Sequence, residues 1–484
     1  MNFDELVTKA TKAVDAKVFD EALELFSQAL EIEPNNKKLM YNMGVCYIRL
    51  EKYFLAIDIL KKAISYDKDY YNANSNLAVA YKRVGEYEKA FFHLMRVYKN
   101  HPNDADILFN LANTLSTLEE YQGAYDFYQK VITLEPDSYR AYYGIGLIYN
   151  YLLNFTKARQ YFQKTLQLKP NYPDAFFAIS LIQLRQKEYK NGWVNYEARW
   201  ESNNPLKELS YQIPMYNGED LKGKNILIQE EQGFGDNIQL IRYLDNIKEK
   251  KPNKIYVAVR DPLSRLFKKI KGIEVVGDKA ILNDIDYILS LHSAPRIFQT
   301  SYETIPNTIP YLPHVKGKIH KDALKILNIK KPKIGFAHLG NPDQKNAYYK
   351  SINLELLTKL FEKNDYEFYS LQIDPQAKNK KQILNKYENV HDLSPYIKNF
   401  YDTATIFNEL DMIITIDSAL SHLAGAYGKK TILLAPKNHD WRWVNDNGIS
   451  PWYPSVHVIV QENLGVWDDV LEKCKKQMDD FSNL

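Results

Sequence analysis

The chain has 484 residues, 45% hydrophobic and 25% charged, the proportions of a soluble globular protein long enough for roughly three domains. Its 63 Lys+Arg against 60 Asp+Glu leave a net charge of +3, too small to argue for nucleic acid or an anionic membrane surface as a partner. The two cysteines, Cys46 and Cys474, are too few and too distant for a disulfide framework or a metal cluster, and no apolar run reaches the length of a membrane span. A cytoplasmic protein without a secretion signal or a membrane span is the expectation.

In chain order, the first feature is a repeat. Alanines recur 34 residues apart at Ala22, Ala56, Ala90, Ala124 and Ala158, with Gly192 at the next step. An aromatic residue keeps the same register three positions earlier, at Phe19, Tyr53, Tyr87, Tyr121, Phe155 and Tyr189, and Pro34, Pro102, Pro136 and Pro170 close four of the units. The spacing predicts a helix-turn-helix array over residues 1–205. In such an array the small residue lets two helices approach, the aromatic packs into the neighbouring hairpin, and the proline ends the second helix. Asn42, Asn76 and Asn110 form a second 34-residue series on the first helix of successive units, interrupted by Gly144. An amide can donate to and accept from one peptide unit at once, so these side chains are either a peptide-holding ladder or solvated polar positions. Tyr41, Tyr143 and Tyr151 near this face read first as packing residues, and Cys46 as a small buried hydrophobe.

After residue 200 the rhythm changes. A stretch rich in proline and glycine leads to short apolar runs alternating with helical segments: 225–229, 254–259, 272–276, 286–291, 333–339, 367–372, 411–416 and 430–435. Buried parallel strands read this way, because crossover helices cover both faces of their sheet. Two α/β halves are expected, 206–315 and 316–484, with the PYLPHVKGK stretch (310–318) as the hinge.

Three clusters carry residue types suited to chemistry. The loop EEQGFGDNIQ, from Glu230 to Gln239, has Gly233 and Gly235 but Ile238 where a dinucleotide fingerprint needs its third glycine, and it lacks the Walker lysine. Asp236 opens the following helix, where it can act as an N-cap, as a general base, or as both. In DMIITIDSALSHLAGAYG, Asp417 and Ser418 end a strand and begin a helix, with His422 one turn on and Gly425 beyond; such a helix start suits an anion. HDWRW supplies Asp440, Trp441, Arg442 and Trp443, a cation for phosphate or carboxylate with rings for stacking, and SPWYPS follows it. No His, Asp or Cys pair has convincing metal-ligand spacing.

The first 205 residues resemble the tetratricopeptide repeat, and the asparagine series is similar to the ladder with which O-GlcNAc transferases hold an extended substrate. QGFGDNIQLIRYL resembles the G-x-G-D loop of the lipopolysaccharide heptosyltransferases. It is closer still to the loop of bacterial proteins that join tetratricopeptide repeats to a glycosyltransferase domain of the GT-B type. That resemblance implies an α + α/β chain: a repeat superhelix followed by a GT-B-like pair of Rossmann-type domains, 206–315 on the acceptor side and 316–484 on the nucleotide-sugar side. It implies a metal-independent protein O-glycosyltransferase, with a nucleotide-sugar as substrate and no separate cofactor. Asp236 would be the base, with Gly233, Gly235 and Gln239 forming the acceptor-side loop. Asp417, Ser418, His422 and Gly425 match the family's D-[ST]-x-x-x-H-x-x-G motif and would hold the donor's phosphate, together with Lys350, Asp440, Trp441, Arg442 and Trp443.

One segment departs from the family. In GNPDQKNAYYKSI, 340–352, Gln344, Ala347, Tyr348 and Lys350 stand where the family has histidine, aspartate and two arginines. A lysine offers a phosphate its charge without the bidentate fork. The change leaves open a different donor, reduced activity, or a scaffold that binds without turnover; a saccharide or lipid acceptor is a further alternative. Related repeat-transferase chains modify flagellin with nonulosonic acids, so by analogy flagellin is the protein acceptor the repeats would recruit.

Overall fold

The computed structural model describes the whole chain except residues 202–212, 279–281, 283, 341–346, 374–376 and 483–484. It divides into two compact units, Met1–Ala175 and Phe176–Leu484. Among the described residues no helix is long and apolar enough to cross a membrane.

The first unit is built of helix hairpins: α1 (Phe3–Asp15) with α2 (Phe19–Ile32), α3 (Lys37–Arg49) with α4 (Tyr53–Tyr66), α5 (Tyr71–Arg83) with α6 (Tyr87–Asn100), α7 (Ala105–Thr117) with α8 (Tyr121–Leu134), and α9 (Tyr139–Tyr151) with α10 (Phe155–Leu168). Each second helix starts on the periodic aromatic, and all five periodic alanines have no exposed surface. The alanines therefore belong to the packed interior of the array. At the equivalent turn of each hairpin the chain passes through the left-handed region, at Lys17, Glu51, Gly85, Glu119 and Leu153, which reverses it between the two helices. Asn2 caps α1 by accepting from Glu5 N–H while the Glu5 carboxylate accepts from Asn2 N–H.

The second unit begins inside α11 (Pro173–Arg185), earlier than the expected boundary at 205, which itself lies outside the described residues. The reason is packing: Leu184 of α11 and Tyr189, Trp193 and Tyr196 of α12 (Tyr189–Tyr196) belong to the main hydrophobic core of the second unit. Trp193 Nε1 donates to Thr300 O at 3.1 Å, and the indole meets the Trp441 ring edge-on at 5.1 Å.

Two all-parallel sheets follow. The first has the order β3-β2-β1-β4, from β1 (Asn225–Gln229), β2 (Lys254–Val259), β3 (Glu274–Gly277) and β4 (Tyr287–Ser290). The second has the order β10-β9-β8-β5-β6-β7, from β5 (Lys333–Phe336), β6 (Glu367–Ser370), β7 (Val390–Asp392), β8 (Met412–Ile416), β9 (Thr431–Ala435) and β10 (Val456–Val460). β8 and β9 are buried along their whole length, as continuous apolar runs demand. The expected strands are present; β7 and β10, the two edges of the larger sheet, carry no long apolar run and were not predicted. The 310–318 stretch contains neither helix nor strand. It is clamped by Tyr427, whose hydroxyl donates to Pro313 O at 3.0 Å, and by Asn408, whose amide donates to Val315 O at 2.9 Å.

In a parallel sheet the strand order reverses at a switch point, and loops leaving the carboxyl ends of the two strands there diverge to leave a crevice. The first sheet switches between β1 and β4, the second between β5 and β8.

Candidate functional site

A cavity of about 590 Å³ lies where loops from both switch points meet. From the first sheet come Gly233, Gly235 and Asp236, after β1; from the second come Lys350, after β5, and Asp417, Ser418 and His422, after β8, with Asp440 and Arg442 after β9.

The two glycines have different reasons. Helix α13 (Phe234–Leu240) is capped by Gly233, and Asp236 is its third residue, not the cap: Asp236 Oδ2 accepts from Gly233 N–H at 3.0 Å, closing the first turn from inside. Gly235 faces the start of α14 (Ala419–Ala426); a Cβ there would lie 2.7 Å from His422 Cδ2 and 3.3 Å from Ala419 Cα. Two helix starts from different sheets thus touch through a residue without a side chain.

The charged groups are paired across the cavity. Asp236 Oδ1 accepts from Arg442 Nη2 at 2.6 Å; Arg442 also donates to Asp440 Oδ1 at 2.8 Å and, through Nε, to Gln239 Oε1 at 3.0 Å. Burial is the largest influence on Asp236 and opposes its ionisation, but the Arg442 guanidinium and the neighbouring His292 and His422 together outweigh it and hold the carboxyl far below the usual range. Lys350 Nζ lies 2.5 Å from Asp417 Oδ2, whose other oxygen accepts from Trp443 Nε1 at 2.7 Å. Burial works against both charges of that pair; their mutual attraction wins, raising the lysine and lowering the carboxyl. His422 shares a hydrogen bond of 2.9 Å between Nδ1 and the Tyr453 hydroxyl, and burial pushes its imidazole down to about 4, so it is neutral at pH 7. Ser418 is the extended N-cap of α14, and its carbonyl accepts from Ser421 Oγ at 2.6 Å.

Other predicted positions lie behind the wall. Trp441 and Trp443 are buried at 3% and 0% exposure, the first against Trp452 and the second against His422 and Tyr453, so they support the site and do not face the cavity. Gly425 is explained by packing: a Cβ would lie 2.4 Å from the Tyr453 ring. Gln239 is fully buried and orients Arg442. Of the 340–352 segment, residues 341–346 lie outside the described residues; Gly340 N–H donates to Ser351 Oγ at 3.0 Å.

In the first unit, Asn42, Asn76 and Asn110 are half-buried on α3, α5 and α7. Asn76 and Asn110 donate to the carbonyls of Asn72 and Asp106, at 3.0 and 2.9 Å, so each amide spends a donor on its own helix. Tyr41, Tyr143 and Tyr151 pack on Tyr70, Phe162 and Tyr121 respectively.

Four ionisable residues at the site escaped the sequence reading. Arg260 follows β2, lines the cavity over the Phe234 ring and pairs with Glu230. Glu231, His292 and Arg199 form a buried cluster behind Asp236. Glu231 and His292 each lie just past a strand of the first switch point, which is the signal that could have found them.

The chemistry this allows is specific in kind. The start of α14 and two cations offer a place for an anion, and a carboxylate from the opposite sheet faces the same space.

Tetratricopeptide repeat family models match residues 13–53, 38–70, 105–138 and 139–172, so the N-terminal part of the chain carries these repeats. Protein FlbA of Caulobacter vibrioides is 24% identical over 339 residues, covering 60% of this chain and 52% of FlbA; the chain thus spans about half the length of that relative. Human serine/threonine-protein phosphatase 5 is 36% identical over 67 residues, which is 14% of this chain and 13% of the phosphatase. Among solved structures, MamA is 27% identical over 33% of this chain and 94% of its own, with a TM-score of 0.32. YrrB, described as a TPR protein with an unusual peptide-binding site, is 22% identical over 36% of this chain and 89% of its own, with a TM-score of 0.34.

Proposed function

We propose that the second unit is a cytoplasmic glycosyltransferase of GT-B architecture, which moves a sugar from a nucleotide-sugar to a Ser or Thr hydroxyl of a protein recruited by the repeats. The observation that carries this reading is the convergence, in one cavity, of an acceptor-type carboxylate from the first switch point and an anion-type helix start with Lys350 and Arg442 from the second. On this reading Asp236 takes the proton of the acceptor hydroxyl, and Ser418, Lys350 and Arg442 stabilise the phosphate as it leaves, without a metal. Donor binding requires Lys350 and Arg442 to turn part of their charge from Asp417 and Asp236 to the phosphate. Unpaired, buried Cys46 and Cys474 suit a reducing compartment. Flagellin is the first acceptor to try, by the analogy that its family resemblance supplies.

The test is transfer itself: the full chain incubated with a panel of nucleotide-sugars, with intact-mass analysis of co-expressed candidate acceptors. Addition of one sugar mass, reduced on the order of 10²–10⁴-fold by Asp236→Asn, is the expected outcome. Unchanged transfer by Asp236→Asn removes that carboxylate from the role of base. A second reading, a repeat scaffold whose transferase unit no longer turns over, is favoured by the ion pairs that already occupy both cations. Tight nucleotide-sugar binding with neither transfer nor hydrolysis would select it.

A further inference from the structure

Behind Asp236 lies a histidine that the transfer reading does not use. His292 sits in the short turn Leu291–Ser293 that follows β4, is 2% exposed, and neither ring nitrogen has a hydrogen-bond partner among the described residues. A buried polar ring left unmet costs stability with each missing bond, so the fold holds it there against its own stability. The imidazole stands between two carboxylates: Nδ1 is 3.9 Å from Glu231 Oε2, and Nε2 is 3.9 Å from Asp236 Oδ1. Both gaps exceed a hydrogen bond by about 1 Å, and such contacts commonly tighten only when substrate is bound.

The surroundings fix this arrangement. Arg199 donates to Glu231 through Nε and Nη2, at 2.9 and 3.1 Å, and pairs with Glu197 at 2.7 Å; Ser290 also donates to Glu231. Tyr196 stacks on the imidazole at 6.3 Å and 11°, its hydroxyl accepting from Gln232 Nε2. On the far side Asp236 is held by Arg442. His292 does not line the cavity, so anything it does for a substrate passes through Asp236.

We propose that His292 is a positioning residue that receives the proton Asp236 takes from the acceptor hydroxyl, with Glu231 balancing the resulting imidazolium; this inference rests on the transfer reading. In that step the acceptor O–H bond breaks and its electron pair forms the bond to the donor's anomeric carbon. The bond from that carbon to the phosphate oxygen breaks, and its pair leaves on the phosphate. The proton rests on the Asp236 carboxyl and moves to His292 Nε2; when products leave it returns through Asp236 to the departing phosphate or to solvent, so that both groups are reset for the next acceptor. A carboxyl paired with Arg442 is a poor resting place for a proton, and His292 Nε2 is the unpartnered ring nitrogen nearest to it.

The experiment has a part independent of turnover. In the full chain with 15N-labelled histidine, the ring-nitrogen shifts of His292, assigned by their loss in His292→Gln, report which nitrogen carries a proton. Asp236→Asn and Glu231→Gln are each expected to change that proton distribution between pH 5 and 8. Shifts unmoved by both substitutions overturn the proposal, whether or not the chain transfers sugar. With a donor that is turned over, His292→Gln should lower kcat about tenfold to a hundredfold with KM little changed, and should alter the pH dependence of kcat. A wild-type kcat and pH profile in a folded His292→Gln chain also overturns the proposal. Coupled shifts without any transfer leave the Glu231–His292–Asp236 linkage standing and reject the enzyme reading instead.

Discussion

At Gly235 the two halves of the second unit meet through a missing side chain. Alanine there must displace the His422 ring or the backbone at Ala419, because its Cβ would stand 2.7 and 3.3 Å from them. Gly235→Ala is therefore expected to destabilise the second unit by about 1–3 kcal/mol in urea unfolding, the usual cost of overpacking. An unchanged midpoint would mean that the loop relaxes freely. Part of this loop is legible in the sequence: Gly233, Gly235 and an Asp236 that opens a helix stand out from spacing alone. What stayed hidden was the partner of each group. Sequence spacing within one segment cannot show that Arg442 meets Asp236, or that His292 waits behind it, because those pairs cross between strands far apart in the chain.

At the scale of elements, the repeat was the most readable part, since each periodic residue answers one local requirement that recurs in every hairpin. The turn position was not readable, because four different residue types share it: lysine, glutamate (twice), glycine and leucine occupy the same left-handed conformation. That variety makes a test with opposite signs. Gly85, at φ 81°, should lose about 1 kcal/mol on Gly85→Ala, whereas Leu153, at φ 60°, should gain up to about 1 kcal/mol on Leu153→Gly as steric strain is relieved. Thermal unfolding of the full chain measures both, and shifts of the same sign would contradict the account. Edge strands β7 and β10 escaped prediction for a related reason: one is three residues long, and the other has half-buried positions at its edge. The tryptophan-rich segment misled in the other direction, since aromatic residues that suit ligand stacking suit a core equally well.

At the scale of the whole molecule, histidines shielded from solvent set the response to acid. Burial pushes His93 in the repeats, and His422 and His439 in the second unit, down to about 4. In the unfolded chain each titrates near 6.5, so between pH 6.5 and 4 the unfolded state binds more protons and stability falls as pH falls. Asp236 adds a further loss below about pH 4, where the unfolded carboxyl takes a proton that the folded one resists. Denaturant midpoints should therefore decline from pH 6.5 downward; a flat profile to pH 4.5 would mean that these imidazoles are not held neutral by the fold. The cavity shared by the two switch points is tested most directly by calorimetric titration of the full chain with uridine, guanosine and cytidine sugar nucleotides. Saturable binding of at least one of them, weakened about tenfold or more by Lys350→Ala and by Ser418→Ala, is expected; no binding by any would contradict a nucleotide-sugar site in this cavity.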